Sequence, residues 1–328
     1  MPAGKLTPLA ALGNAWQRLW FQPYDPLPAG VFRIAFGSLF TVMYLALYPN
    51  FSRYFSPDGV LSMTDTTAEG DWWSLFHWLP GVPFRLFWLL GLIAAIAFTV
   101  GWRTRLWTVV LFALETSMVA RNRFAINGED LVGRMLLLYG CFAPLGATLS
   151  VDAWLARRKA TSQSATPPVY RIWPIRLMQI NIAFIYVFSL PQKLIGDVAW
   201  RNGEAIYLSV VSNMWSRVPW PRPFYGAMGT FMTFFSVAAE GCFPLLVWFR
   251  RTRPFAVAAV VSLHLGIAIM LKNVTFFSLA MVCSFVIFLS ASEVRWLWSA
   301  LQALRSRVSR RISSLVPQRS PNGPIAHR

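Results

Sequence analysis

The stretch NIAFIYVFSLPQKLIGDVAWRNGEAIYLSV, residues 181–210, decides how this sequence is interpreted. An apolar helix runs into Pro191, and Gln192 and Lys193 follow at once, before a short polar segment that ends at residues 200–204. A lysine at the end of a membrane helix is either an anchor at the membrane interface or a base held in a site that is partly shielded from water. Which of these two roles it has decides whether the protein is an enzyme.

The composition is that of a multi-span membrane protein. Hydrophobic residues make up 56% of the 328 residues and charged residues only 13%, which is about half the charged share of a soluble domain. Several apolar runs are long enough to cross about 30 Å of hydrocarbon. The 16 Trp residues fit this class, because indole rings collect at both membrane surfaces. The sequence therefore predicts an all-α, polytopic integral membrane helical bundle.

The basic residues responsible for the net charge of +17 are distributed as membrane topology predicts. The basic residues lie in short loops between the helices and in one tail, so we expect no nucleic acid as partner. The three Cys residues lie inside apolar runs, and neither they nor the three His residues have the spacing of metal ligands, so no metal site is predicted. The first 28 residues lack the compact apolar core of a signal peptide, and we expect no cleavage there.

Hydropathy and charge together predict eight transmembrane helices. The spans cover residues 30–48, 84–100, 106–120, 131–149, 174–190, 225–249, 255–272 and 274–291, each to within a few residues. Most of them are about the length that a bilayer requires. If the N-terminus is cytoplasmic, every short inner loop is basic, which agrees with the positive-inside rule. The predicted orientation is therefore N-in and C-in.

Interfacial amphipathic helices are expected at both ends of the chain. Residues 1–28 form a cytoplasmic arm whose apolar side chains recur at steps of three and four. Residues 29–292 form the transmembrane domain. Residues 293–328 form a basic amphipathic cytoplasmic tail that should lie on the anionic inner leaflet and become disordered after Pro317. The lipid bilayer is therefore a predicted partner at both ends.

The predicted topology gathers the polar candidates in the outer half of the bundle. These are Lys193, His264, Glu240 and the loop RNRFAINGED at residues 121–130. An ionisable side chain within a span is costly and usually faces a cavity or a partner. Glu240 is thus either part of a functional cavity or a hydrogen-bonded structural group, and His264 is either a core histidine or a site residue.

Two further ionisable groups within the predicted spans, Glu115 and Arg134, are expected to pair with each other near the outer surface.

For Lys193, the residues leave two interpretations open. Its long stem can carry the ammonium group to the interface, where the lysine only anchors the helix. Alternatively, burial disfavours the charged form and leaves a neutral amine that can accept a proton. Pro191, Gly196 and Gly203 would let the backbone approach closely around such an amine.

A series of motifs, in order and spacing, resembles the HTTM domain, the membrane domain shared with vitamin K-dependent γ-carboxylase. The motifs are DPLPAGVFRIAFG (25–37), YFSPDGVLS (54–62), GWRTRL (101–106), RNRFAINGEDL (121–131), PLGATLSVDAW (144–154), QKLIGDVAWRNGEAIYLS (192–209) and SLHLGIAIML (262–271). The resemblance covers about residues 27–295. It extends to bacterial multi-pass proteins of the sporulation-delaying toxin maturation type, which implies a location in the bacterial inner membrane.

The resemblance to the carboxylase implies roles for individual residues. In that enzyme a lysine after a membrane helix is the base that deprotonates vitamin K hydroquinone, and Lys193 occupies the matching position. His264 and Glu240 match a histidine and an acidic residue of later helices. Two departures are that Gln192 replaces the first lysine of a pair and that Gly128 replaces a histidine. The carboxylase also has a long lumenal region after its helices, which helps to bind its protein substrate. The present sequence has a short basic tail there, so propeptide recognition is not expected.

The leading hypothesis is a carboxylase-like, quinol-dependent membrane enzyme whose cofactor is reduced menaquinone or a vitamin K-like hydroquinone. Lys193 would be the base, and His264 would act with it. The ligand-binding residues would be Glu240 and Trp200 beside the base and Arg121, Asn127, Glu129 and Asp130 as a cap over the pocket. One alternative is a non-catalytic accessory partner in the maturation or export of a secreted peptide. A small-molecule transporter is a second, disfavoured by the absence of an evident inverted repeat in the sequence.

Overall fold

The computed structural model describes residues 8–61, 74–159, 168–212, 214–217 and 222–315. Apart from two two-residue strands, Pro23–Tyr24 and Tyr170–Arg171, which pair antiparallel, the regular structure of these residues is helical. The predicted all-α class is therefore confirmed. The disorder predicted beyond Pro317 lies outside the described residues.

The helices are numbered in chain order. In the first half they are α1 (Pro8–Phe21), α2 (Leu27–Leu47), α3 (Phe51–Phe55), α4 (Leu75–Trp78), α5 (Phe84–Val100), α6 (Thr104–Arg121), α7 (Gly128–Gly140) and α8 (Val151–Lys159). In the second half they are α9 (Trp173–Gly196), α10 (Val198–Asn202), α11 (Ala205–Val211), α12 (Arg222–Leu246), α13 (Arg253–Met270), α14 (Thr275–Ser284) and α15 (Ala291–Leu315). Short 3₁₀ turns follow α2, α6 and α14.

A helix lies at each of the eight predicted spans, but not all are long and apolar enough to cross a membrane alone. Four, or at most five, helices of the described chain pass that test, among them α9, α12 and α13. The helix α7 has 13 residues, which is about 20 Å at 1.5 Å per residue. The bilayer-spanning class stands, while the count of eight and the orientation remain predictions.

The outer surface of the bundle is rich in large apolar side chains. Ile93 and Ile96 on α5, Phe188 on α9 and Phe231 on α12 are all exposed, although each belongs to a mainly apolar helix. A soluble protein rarely presents so much contiguous apolar surface. These faces are suited to lipid.

The helix of the predicted fourth span is shorter than the sequence indicates. We expected it to extend over residues 131–149, but α7 ends at Gly140. The backbone carbonyls of Leu145 and Leu149 do not join a helical ladder, because both accept hydrogen bonds from Arg33. Leu149 also has a left-handed backbone, with φ of 51°, which a regular helix excludes.

Arg33 ties two of the sequence motifs to each other and to the end of α5. Its guanidinium is fully buried and donates to the carbonyl oxygens of Leu145 at 3.0 Å, Phe98 at 2.9 Å and Thr99 at 2.6 Å, and also to that of Leu149. The carbonyls belong to the end of α5 and to the segment between α7 and α8. The motif that contains Arg33 is thus joined to PLGATLSVDAW and to the end of α5, just before the turn GWRTR.

Asp152 reinforces the same junction from the other side. Its carboxylate accepts hydrogen bonds from the backbone amides of Arg103 at 2.7 Å and Thr104 at 2.8 Å, and from the Thr104 hydroxyl at 2.7 Å. These are the free donors at the first turn of α6, which a carboxylate satisfies well. The motifs GWRTR and SVDAW therefore have a structural role in positioning the helices.

The chain divides into two compact units, residues 1–288 and residues 289–328. In the second unit, α15 carries the exposed apolar side chains of Trp296, Leu301, Leu304 and Val308. Its arginines are interspersed with them along the helix. The contact of this helix with an anionic leaflet remains a prediction.

Candidate functional site

Helix α9 carries one wall of the candidate site. Tyr186, Ser189 and Lys193 are spaced three and four residues apart, so they lie along one face of the helix. The expectation that the helix ends at Leu190 is wrong, since α9 continues through Pro191 to Gly196. Proline removes one helical hydrogen bond, and such a loss is tolerated in membrane helices where neighbouring helices pack against the site. Lys193 therefore belongs to the last turn of α9.

The Lys193 ammonium forms an ion pair with Glu240 of α12. The Lys193 Nζ atom lies 2.6 Å from Glu240 Oε1 and 2.7 Å from Oε2. Glu240 is nearly inaccessible, with 5% of its side chain exposed, whereas Lys193 is 25% exposed. The pair is thus closed on the side of the carboxylate and partly open on the side of the lysine.

Hydroxyl and aromatic groups complete the surroundings of the pair. Ser236 donates to Glu240 Oε1 at 3.3 Å, and Ser189 lies 3.5 Å from Oε2. The Lys193 Nζ atom lies 4.5 Å from the centroid of the Trp200 ring, within the range of a cation–π interaction. Trp200 is held there by α10, whose first turn is capped by Asp197 through a 2.9 Å bond from the Ala199 amide.

His264 belongs to a second buried pair beside the first. Its Nε2 atom lies 2.8 Å from the Tyr186 hydroxyl, and both side chains are 3% exposed. The Nδ1 atom of His264 has no hydrogen-bond partner among the described residues. The rings of Phe277 and Phe285 lie 5.8 and 5.9 Å from the imidazole, centroid to centroid. A buried imidazole with one unused nitrogen in an aromatic box can still bind one polar ligand atom.

The two pairs are connected through α9. Ser189 lies between Tyr186 and Lys193 on the same face, 3.5 Å from the Tyr186 carbonyl oxygen and 3.5 Å from Glu240. The structure therefore brings together Lys193, Glu240, Trp200 and His264, all of which the sequence proposed. Tyr186 is an addition that sequence reasoning missed, although its spacing of seven residues from Lys193 was a usable signal.

The remaining predicted site residues have other partners. Arg121 is fully buried and donates to the backbone carbonyls of Phe55 at 3.0 Å, and of Ser56 and Leu61 at 2.7 Å each. The neighbouring Asn122 side chain donates to the Tyr54 carbonyl at 2.8 Å. The arginine therefore holds the motif YFSPDGVLS in place, as Arg33 does for PLGATLSVDAW. In the described structure it makes no contact with the Lys193–Glu240 pair.

Asn127, Glu129 and Asp130 lie at the start of α7, around a separate cavity. Asp130 caps the helix by accepting the Asn127 backbone amide at 2.8 Å, and all three residues line a cavity of about 220 Å³. The structure therefore does not bring these residues over the Lys193–Glu240 pair, because the capped first turn of α7 directs them to this cavity. Within the described ranges, none of the three forms a hydrogen bond or ion pair with Lys193, Glu240 or His264.

Gly128 lies close to the histidine box. A Cβ atom at this position would be 2.7 Å from the Phe277 ring, and Phe277 in turn contacts His264. The position at which the resemblance would expect a histidine is a glycine, and a phenylalanine of α14 packs against it. This packing explains why only a glycine fits at position 128 with Phe277 where it stands.

The expected pairing of Glu115 with Arg134 is wrong. Glu115 accepts a 3.0 Å hydrogen bond from the Tyr44 hydroxyl instead, and the described side chains show no Glu115–Arg134 ion pair. The described residues also contain no group of three or more His, Cys, Asp or Glu side chains that could hold a metal ion.

Fold and site together define a class: a helical membrane protein in which three packed helices enclose a Lys–Glu ion pair next to a Tyr–His pair. The chain belongs to the HTTM domain family, whose model matches residues 21–293. It is accordingly a membrane domain of the carboxylase-related family, and the resemblance seen in the sequence motifs is confirmed. No curated protein and no solved structure matches the sequence.

Proposed function

We propose that the protein is a carboxylase-like membrane enzyme that takes a proton from a lipid-soluble hydroquinone at the Lys193–Glu240 pair. The observation that carries the proposal is the asymmetry of this pair. Its carboxylate is enclosed by protein at 2.6–2.7 Å from the amine, whereas the lysine side chain is partly open. A ligand approaching from the open side meets the lysine before the carboxylate.

The ion pair defines how Lys193 can act as a base. A lysine paired with a carboxylate carries its own proton, so it must first pass that proton to Glu240. In a site of low dielectric constant the neutral pair, amine and carboxyl group, is disfavoured far less than in water. The amine can then accept a proton from a substrate hydroxyl, and Glu240 retains the first one.

The other side chains have supporting roles in this proposal. After the transfer, the Lys193 ammonium lies next to the negative charge left on the substrate oxygen and stabilises it. The Trp200 ring limits access of water to the amine. The free Nδ1 atom of His264 and the aromatic rings around it fit one polar group and one apolar ring. A bound reduced menaquinone or vitamin K-like hydroquinone would supply the acidic hydroxyl and the apolar ring.

A quinol oxidation assay tests the proposal. The full chain is purified into lipid nanodiscs, menaquinol is added in aerated buffer, and its oxidation by oxygen is followed against empty nanodiscs. Lys193→Ala and His264→Ala are each expected to lower the rate by at least about 100-fold, the usual contribution of a positioned acid or base. Glu240→Gln is expected to do the same, since a glutamine cannot receive the lysine proton.

The matched control is Lys159→Ala, which removes an exposed lysine at the end of α8 and should leave the rate unchanged. If the wild type oxidises menaquinol and both Lys193→Ala and His264→Ala retain its rate, the base assignment is overturned. If the wild type neither binds nor oxidises menaquinol but co-purifies with a secreted peptide, the accessory role in maturation or export replaces the enzyme. Uptake of a solute into proteoliposomes without quinol oxidation would instead identify a transporter.

A further inference from the structure

The cavity at the start of α7 lies apart from the Lys193–Glu240 pair, between α2, α6 and α7. Its volume is about 220 Å³, larger than the cavity of about 150 Å³ that is known to hold a benzene ring in an engineered protein. The cavity shares no residue with the Lys193–Glu240 and Tyr186–His264 pairs. A ligand of this cavity would therefore be independent of the proposed quinol chemistry.

The charged groups that line the cavity are all acidic. They are Glu115 from α6 and Glu129 and Asp130 from α7, and among the residues that the structure describes no lysine or arginine lines the cavity. Asp130 is engaged with the Asn127 amide at 2.8 Å. The cavity therefore favours a cation and disfavours a phosphate or carboxylate.

Two of these carboxylates each have an unused oxygen. Glu115 is 1% exposed and Glu129 is 6% exposed. Glu115 Oε1 accepts from the Tyr44 hydroxyl at 3.0 Å, but Oε2 of Glu115 and Oε2 of Glu129 have no hydrogen-bond partner among the described residues. A buried carboxylate oxygen without a donor is costly. Both oxygens call for N–H or O–H donors supplied by a ligand.

The rest of the lining is aromatic and apolar. It includes Phe40, Tyr44, Tyr54, Phe55 and Phe276. Aromatic faces attract a cation and also accommodate an apolar body. The unused oxygens require a cation that has N–H groups. A quaternary ammonium ion has none and would therefore fit less well.

From these features we propose that the cavity binds a small organic molecule with a protonated primary amine on an apolar or aromatic body. The ammonium would donate to Glu115 Oε2 and Glu129 Oε2, and the body would lie against the aromatic side chains. A phosphatidylethanolamine headgroup also carries a primary ammonium, but its phosphate would meet an acidic wall. The free amine is therefore the better match.

Binding of 2-phenylethylamine to the full chain in detergent micelles, measured by isothermal titration calorimetry, tests the proposal. The neutral analogue 2-phenylethanol has the same body without the charge and should bind at least about tenfold more weakly. Glu115→Gln and Glu129→Gln should each weaken amine binding by at least about tenfold. Glu204→Gln, at an exposed carboxylate before α11, is the matched control and should bind as the wild type does.

The pH dependence gives a second readout. Burial raises the pKa of Glu129, in the first turn of α7, to about 7. The other titratable groups facing it across the cavity are Glu115, Asp130, Tyr44 and Tyr54. An ammonium binds the ionised form of Glu129 and keeps its own charge up to a pH of about 10. Amine affinity should therefore rise from pH 6 to pH 8, and this rise should be smaller in Glu129→Gln, in which the other carboxyl groups of the cavity remain.

Three results would overturn the proposal: no detectable binding of 2-phenylethylamine by the wild type, equal affinity for the amine and the alcohol, or wild-type affinity in both glutamine variants. Melting curves without ligand establish whether each variant is folded. If Glu115→Gln does not fold, the affinity of Glu129→Gln alone tests the proposal. Nanodiscs with phosphatidylethanolamine compared with phosphatidylcholine, which lacks N–H groups, separate the sources of the amine. If phosphatidylethanolamine competes with 2-phenylethylamine and phosphatidylcholine does not, the site is assigned to the lipid headgroup instead of a free amine.

Discussion

Replacing Arg33 by Met is expected to lower the free energy of unfolding by at least about 4 kcal/mol, in the range of the most damaging single substitutions. The guanidinium is fully buried and donates to four backbone carbonyls, those of Phe98, Thr99, Leu145 and Leu149. Each hydrogen bond from a charged donor contributes about 1.5–3 kcal/mol. Met fills similar space but donates nothing, so the carbonyls are left in a protein interior without their donor. The measurement is chemical unfolding in detergent micelles, together with the yield of monodisperse protein.

Two further variants separate the geometry from the charge. Arg33→Lys keeps the positive charge, but an ammonium cannot reproduce the planar fork that reaches both α5 and the segment after α7, so intermediate stability is expected. Arg85→Met, at an exposed arginine of α5, should change stability by no more than about 0.5 kcal/mol. Wild-type stability of Arg33→Met would show that these carbonyls do not depend on the arginine.

Replacing Lys193 by Met is expected to lower the free energy of unfolding by about 2–4 kcal/mol, somewhat less than for a completely buried pair because the lysine is partly open. The substitution leaves Glu240, which is 5% exposed, without its counter-ion. Glu240→Gln should be milder, since Lys193 is 25% exposed and can turn towards water. In the double variant Lys193→Met/Glu240→Gln no charge is left, and most of the lost stability should return.

Unfolding curves of the wild type, the two single variants and the double variant form a double-mutant cycle. The cycle also separates fold from function, because the double variant should be stable and yet inactive in the quinol assay. Additive effects of the two single substitutions would contradict a coupled pair. Recovery of quinol oxidation in the double variant would assign the pair a structural role only.

Much of the candidate site was predictable from sequence because its residues are ionisable groups in apolar helices. Lys193, Glu240 and His264 stand out against their neighbours, and such groups usually face a partner or a cavity. The pairing of Lys193 with Glu240 was not predictable, since 47 residues separate them and helix periodicity gives only the face, not the neighbour. Tyr186 was missed because a tyrosine in an aromatic-rich helix resembles any other core residue until its partner is known.

The arginines of the motifs show a different limit. Arg121 was predicted to cap a ligand pocket because it is charged and belongs to a polar loop. Its three acceptors are backbone carbonyls 60–66 residues away in the chain. Carbonyls are present in every residue, so no sequence pattern marks which of them an arginine will reach. Glu115 was paired wrongly for a similar reason, since Tyr44, its donor, lies 71 residues away.

The sequence by itself determined the helical membrane class, the HTTM family and the ionisable residues of the candidate site. Hydropathy, charge and motif spacing are properties of short stretches, and the environment of a bilayer makes them decisive. Only the tertiary structure decided that Lys193 carries a counter-ion, that α9 continues through Pro191 and that three acidic residues line a second cavity. Each of these depends on which helices pack against one another, and a buried polar group takes the nearest suitable partner in space.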